Sequence, residues 1–156
     1  MTGLADVEWD VAEETRAFID SEWATHNVGI TKPDVIRLVS EDEHGDPVKG
    51  WDPAGLEYVL VNETDTRGFS YSDGPRDVVD PAAVCFVTVT TYESRERREE
   101  LWQSMMRLAV AARKRSEHTP GNWDTVDVAG NAVPDEFFNY WQFEMEWRYV
   151  AHSRTL

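Results

Sequence analysis

Between Trp141 and Tyr149 the chain alternates without a fault. Trp141, Phe143, Met145, Trp147 and Tyr149 are large and apolar, while Gln142, Glu144, Glu146 and Arg148 between them are polar or charged. A period of two predicts a β-strand that buries one face and shows the other to water or to a partner. The same period-two or β-branched character predicts three further strands. Asp34–Ser40 carries Val35, Ile36, Leu38 and Val39, and Leu56–Asn62 carries Tyr58, Val59, Leu60 and Val61. Ala83–Tyr92 combines Val84, Phe86, Val87 and Val89 with Thr88, Thr90 and Thr91.

Two stretches follow the helical period instead. Val7–Trp23 places Val11, Phe18, Ile19 and Trp23 on one face, with Asp6 or Asp10 available as a cap and Asn27, Gly29 and Pro33 to end it. Arg95–Arg115 repeats Leu101, Met105, Leu108 and Ala112, is capped by Ser94 and closes on Arg113, Lys114 and Arg115, which suit the negative end of its dipole. The intervening segments are polar. Glu41–Gly55 reads as a loop. Glu63–Pro81 reads as a polar arm, within which Arg67–Ser72 is an extra strand or one side of a hairpin. His118–Asp135 is long for a plain loop, and Trp123, Val126 and Val128 in it are placed to form a short strand or to dock on the core. The expected fold is therefore α+β over residues 1–156, a single domain. It is a two-layer sandwich, in which a mainly antiparallel sheet of about four strands packs against two helices.

Composition sharpens this picture. The 156 residues hold 30 acidic and 15 basic groups, a net charge of −15, and the basic set includes only three lysines, Lys32, Lys49 and Lys114. A strongly acidic, lysine-poor surface suits a high-salt cytoplasm, where the Debye length falls to roughly 3 Å and self-repulsion is screened. The competing reading is an acidic nucleic-acid mimic or a partner of basic proteins. Against it, the acids are scattered along the whole chain. No run of about eighteen apolar residues is present to span a bilayer, and Met1–Asp10 lacks the basic and apolar regions of a signal peptide.

Candidate chemistry is sparse. His26, His44, His118 and His152 stand alone in loops or at element ends, without ligand spacing. Glu41–Asp46 is an acidic loop that lacks the order of a calcium site. The single cysteine, Cys85, lies inside an apolar strand and reads as a buried thiol. Glu144 and Glu146 share a strand face, as the wet side of an alternating strand does. Asn62-Glu63-Thr64 matches a glycosylation acceptor by chance composition. The helix 95–115 carries seven of the fifteen basic residues, but Glu93, Glu96, Glu99 and Glu100 interleave its start. It therefore reads as a salt-laced solvent face or a contact for an acidic neighbour, ahead of a nucleic-acid footprint. The aromatic stripe Trp141–Tyr149 reads as core, with a ligand-lining face as the alternative. No catalytic, cofactor-binding or metal-binding residue is assigned.

The second half of the chain resembles the tail terminator family of long-tailed viruses, also called tail-completion or head–tail joining proteins. The resemblance rests on the segment Val84–Tyr92, the polar helix start Glu93-Ser94-Arg95-Glu96-Arg97 and Glu100-Leu101-Trp102. It continues in a long loop with Trp123-Asp124 and a final strand ending Trp147-Arg148-Tyr149. It implies a structural virion protein without catalysis or cofactor. Such a protein forms a homohexameric ring at the head–tail junction, where it caps the tail tube and meets the neck or connector protein. Its expected partners are further copies of itself, the tail tube protein and the neck protein, with no membrane and no specific nucleic-acid binding. The acidic composition adds a halophilic archaeal or bacterial host, in whose cytoplasm the protein is made. The alternative is a small halophilic α+β enzyme or ligand-binding protein that uses the aromatic strand face.

Overall fold

A computed structural model describes residues 3–39, 55–62, 67–71, 77–114, 123–132 and 140–155. It contains helices α1 (Val11–His26) and α2 (Arg95–Lys114) and strands β1 (Val35–Val39), β2 (Tyr58–Asn62) and β3 (Arg67–Tyr71). Strands β4 (Val78–Thr91), β5 (Thr125–Ala132), β6 (Trp141–Val150) and β7 (Arg154–Thr155) complete it. All seven strands join one sheet, three more than the four expected. Its main path runs β1-β2-β4-β6-β5, with β3 and β7 both paired to β4. Among the strands of the described residues, β1 and β2 run parallel and the other strand pairs are antiparallel, while Gly3 adds an isolated parallel bridge to Thr155.

Helix α1 starts later than the pattern 7–23 predicts. Residues Leu4–Asp6 form a single 3-10 turn and Val7 is extended, so the helix is nucleated at Asp10, whose Oδ1 accepts the Glu13 amide at 3.3 Å. It runs past Trp23 to His26 and stops at Asn27, one of the residues the sequence offered to end it, whose amide bonds the Trp23 carbonyl at 2.8 Å. Helix α2 begins as expected: the Ser94 hydroxyl accepts the Arg97 amide at 3.0 Å. Both helices lie on the same side of the sheet. Phe18 meets Trp147 edge-on at 6.2 Å, and Trp102 meets Phe143 at 5.1 Å. Beneath them Phe143, Met145, Trp147 and Tyr149 of β6 face Val89, Val87, Cys85 and Ala83 of β4 in direct register. All eight are buried. Each large side chain removed from water in this layer contributes roughly 1.5–3 kcal/mol, so the aromatic stripe is the centre of the core.

Strand β4 is the spine. The polar arm expected over 63–81 ends earlier than its composition suggests, since β4 already begins at Val78 and passes through Pro81. Proline has no amide to give, and Pro81 sits where the neighbour on one side changes from β7 to β6. Its carbonyl still accepts the Ala151 amide at 3.0 Å. The long connection expected over 118–135 contains β5, which pairs with β6 along its full length, Thr125↔Val150 to Ala132↔Phe143. Close approach requires glycine at Gly130, where a Cβ atom would stand 2.7 Å from Trp102 Cη2 and 3.3 Å from Met145 Cγ.

Candidate functional site

The residues singled out by the sequence do not converge. His26 is half-buried at the end of α1, 3.5 Å from Glu22, and His152 lies exposed after β6. His44, His118, the acidic loop 41–46 and residues Glu63 and Thr64 of the acceptor pattern lie outside the described residues. Among the described residues no group of three or more His, Cys, Asp or Glu side chains is arranged to hold a metal ion. Among the described residues, no helix is long and apolar enough to cross a membrane.

Cys85 is fully buried, and burial pushes its thiol up to about 12. Its Sγ lies 3.2 Å from the Thr15 hydroxyl, which donates to the Val11 carbonyl at 2.6 Å and also contacts the Tyr149 hydroxyl. Burial, more than any other cause, raises the Tyr149 phenol too. This cluster pins α1 to the sheet by satisfying polar groups that would otherwise be stranded in the core. Phe143, Trp147 and Tyr149 have no exposure and Met145 has 3%. Those four side chains are therefore spent on the core and none is left to line a ligand cleft.

On the outer face of the sheet, Glu144 and Arg148 are exposed and Glu146 bonds Arg148 at 2.9 Å. The two carboxylates thus face solvent on a strand, one of them neutralised by its neighbour. The row Val84, Phe86 and Thr88 runs beside them on β4, with Phe86 exposed by 40%. Nearer the other end, Tyr58 and Thr90 are buried, and Gln142 donates to the Thr90 hydroxyl at 3.0 Å.

Two arginines of α2 correct the expectation of a solvent face. Arg97 and Arg98 are buried. The Arg97 guanidinium forms a fork with Glu57 at the start of β2, at 2.9 and 2.6 Å, and donates to the Thr31 carbonyl at 2.7 Å and to Glu100. The bonds that Arg97 donates to the Glu57 carboxylate, and then the one to Glu100, raise its pKa further above the ordinary value, against the opposing effect of burial. Glu57 also accepts the Thr91 hydroxyl at 2.8 Å. The fork lies at the base of a polar cleft of about 470 Å³ edged by Lys32, Asp34 and Glu93. Nothing in local spacing signals this pair, because its members are forty positions apart and the helix start looks uniformly charged. The Trp123-Asp124 pair is likewise structural. Trp123 donates to the Glu8 carbonyl at 2.7 Å, and Asp124 accepts from the His152 amide and from Arg154.

Among the described residues, the most exposed aromatic groups lie elsewhere, on β3. All five of its residues are exposed, Phe69 by 61% and Tyr71 by 75%, and the two rings meet edge-on at 5.7 Å. The strand hangs from the first half of β4, where Phe69 is opposite Pro81 and Tyr71 opposite Val79. Trp9, Arg67, Gly68 and Phe69 line a cleft of about 470 Å³ beside it. Strand β3 is thus a paired but uncovered arm. Its aromatic side chains are held in place by the ladder and offered to solvent, the state that marks a contact surface.

No family model and no curated protein matches this chain. The functional reading therefore rests on its own geometry and on the resemblance in its sequence.

Proposed function

We propose that this chain is a structural virion protein of the tail terminator kind. In this reading it assembles as a homo-oligomeric ring, caps the tail tube and joins it to the neck of a virus of a halophilic host, without catalysis. The observation that carries the reading is the arm β3, a five-residue strand exposed along its whole length with two aromatic rings turned outward. A monomer gains nothing from ordering such rings in water; a subunit that docks them on a neighbour does. Two further features support it. The long strand β4, helix α2 and the aromatic strand β6 come in the order of the segments on which the resemblance rests, with β5 inserted between α2 and β6. The sheet also keeps one face away from the helices, with charge and an exposed Phe86 on it.

Light scattering with electron microscopy in molar potassium chloride, alone and with the tail tube protein, tests the proposal. The expected result is a closed ring of six copies. Monomers alone under all these conditions refute it. The halophilic part is tested separately by thermal melting across salt concentration. A net charge of −15 predicts a melting temperature that rises as salt screens self-repulsion, and a flat or falling profile refutes that part.

A further inference from the structure

The outward face of α2 changes character halfway along. From Leu101 to Arg115 the sequence holds four basic residues and no acidic one, in a chain of −15. On that half Gln103, Met106, Arg107, Val110 and Arg113 are all exposed. Met106 and Val110, one turn apart, are 42% and 51% exposed. Together with His26 they line a shallow, largely apolar cleft of about 620 Å³. This is an apolar centre with Arg107 at its edge, and Arg113 lies beyond it, 3.9 Å from Asp127; a polar edge around an apolar centre is the anatomy of a protein contact.

The arm end of the molecule is its complement. Trp9, Phe69 and Tyr71 supply an apolar centre there, and the exposed carboxylates Glu8 and Asp10 flank Trp9 on both sides. Arg67 is the one basic group in the cleft lining. We infer that the Met106–Val110 stripe of α2 docks on the Trp9–Phe69–Tyr71 surface of a second copy of this chain, and that this is the repeating contact of the ring. The inference rests on the reading of the chain as a ring subunit. Charge favours this pairing at contact distance, within the roughly 3 Å that molar salt leaves unscreened. Stripe against stripe would bring the Arg107 groups of both copies together, and arm against arm would do the same for Glu8 and Asp10. Stripe against arm joins two different surfaces, so the contact is head-to-tail, which is the kind that closes into a ring. The apolar centres keep the contact in molar salt, where the charged rims are screened.

The test uses two variants of the full chain. One carries Met106→Glu and Arg107→Glu; the other carries Phe69→Asp and Tyr71→Asp. All four positions are exposed, and circular dichroism melts read whether each variant keeps the fold. Analytical ultracentrifugation is expected to show an assembled wild type and two monomeric variants, with self-association weakened at least about 30-fold. Mixed one to one, the variants each retain one intact surface and are expected to form a heterodimer of two 17.9 kDa chains and nothing larger. A folded variant that still assembles like wild type, or a mixture that stays monomeric, overturns the inference and leaves the ring reading standing. A wild type that stays monomeric at every salt concentration overturns both.

Discussion

Replacing Arg97 by methionine tests the tie between α2 and the first half of the fold. The guanidinium is 8% exposed and its partner Glu57 12%. The substitution removes both bonds of the fork and the bonds to the Thr31 carbonyl and to Glu100, and leaves Glu57 with the Thr91 hydroxyl as its remaining side-chain hydrogen-bond donor. A carboxylate left in a buried site without its cation costs about 3–5 kcal/mol. A chain of this length loses about 2–4 °C of melting temperature per kcal/mol, so a fall of about 6–20 °C is expected. The double variant Arg97→Met with Glu57→Leu removes the orphaned charge and is expected to recover most of the loss. Denaturant and thermal melts by circular dichroism at 0.1 M and about 2 M salt supply the measurement. The penalty is expected to persist in high salt, because a pair only 8% and 12% exposed at the base of its cleft is screened much less than a surface pair. The pair Lys32–Asp20, with both side chains 46% exposed, is the internal control: breaking it costs about 1 kcal/mol at most and less in high salt. An Arg97→Met loss below about 1 kcal/mol, or one that vanishes in high salt, refutes the reasoning.

Other expectations follow from single contacts. Gly130→Ala drives a methyl group into Trp102 and is expected to cost about 1–3 kcal/mol, relieved by adding Trp102→Leu; an unchanged melting temperature would contradict the packing at this strand. Thr15→Val strands the Tyr149 hydroxyl in the core and is expected to cost about 1–3 kcal/mol in denaturant titration, whereas Thr15→Ser retains most of the stability. Cys85 is protonated in the native chain up to about pH 12, against an ordinary value of 9.0. Its contribution to stability is therefore complete below pH 9 and is lost as pH rises toward 12, because the unfolded thiol releases its proton first. Stability is expected to fall across that window and to fall less in Cys85→Ala; a thiol reagent that labels the native protein at pH 8 as fast as the unfolded one would refute the burial. Asp124→Ala removes the acceptor for Arg154 and the His152 amide, and is expected to speed hydrogen exchange at β7 ahead of the rest of the sheet.

Much of this molecule was legible in its residues. The faces of β6 were readable because a strand's alternation is a local property: Phe143, Met145, Trp147 and Tyr149 share a side whatever they pair with. The same holds for Leu101, Met105, Leu108 and Ala112 on α2 and for Ser94 as its cap, whereas the choice of Asp10 over Asp6 for α1 was made by the fold. The inertness of Cys85 followed from its apolar strand. Other features were settled only by contacts across the chain. The strand β4 continues through Pro81 because β3, β7 and β6 offer partners there, which proline's own preferences do not reveal. Strand β5 runs its full eight residues because β6 has an edge to pair with, which decides between the strand and the docked loop that Val126 and Val128 left open. Arg97 and Arg98 looked like their exposed neighbours, since a charged residue at a helix start is assigned to solvent unless a partner such as Glu57 is brought within 3 Å. Phe69 and Tyr71 looked like minor apolar positions in a polar arm. Periodicity and capping depend on neighbours a few positions away and survive in a one-dimensional reading. Pairing partners, burial of charge and the choice of which aromatic rings remain outside depend on long-range closure of the chain, and only the folded structure decides them.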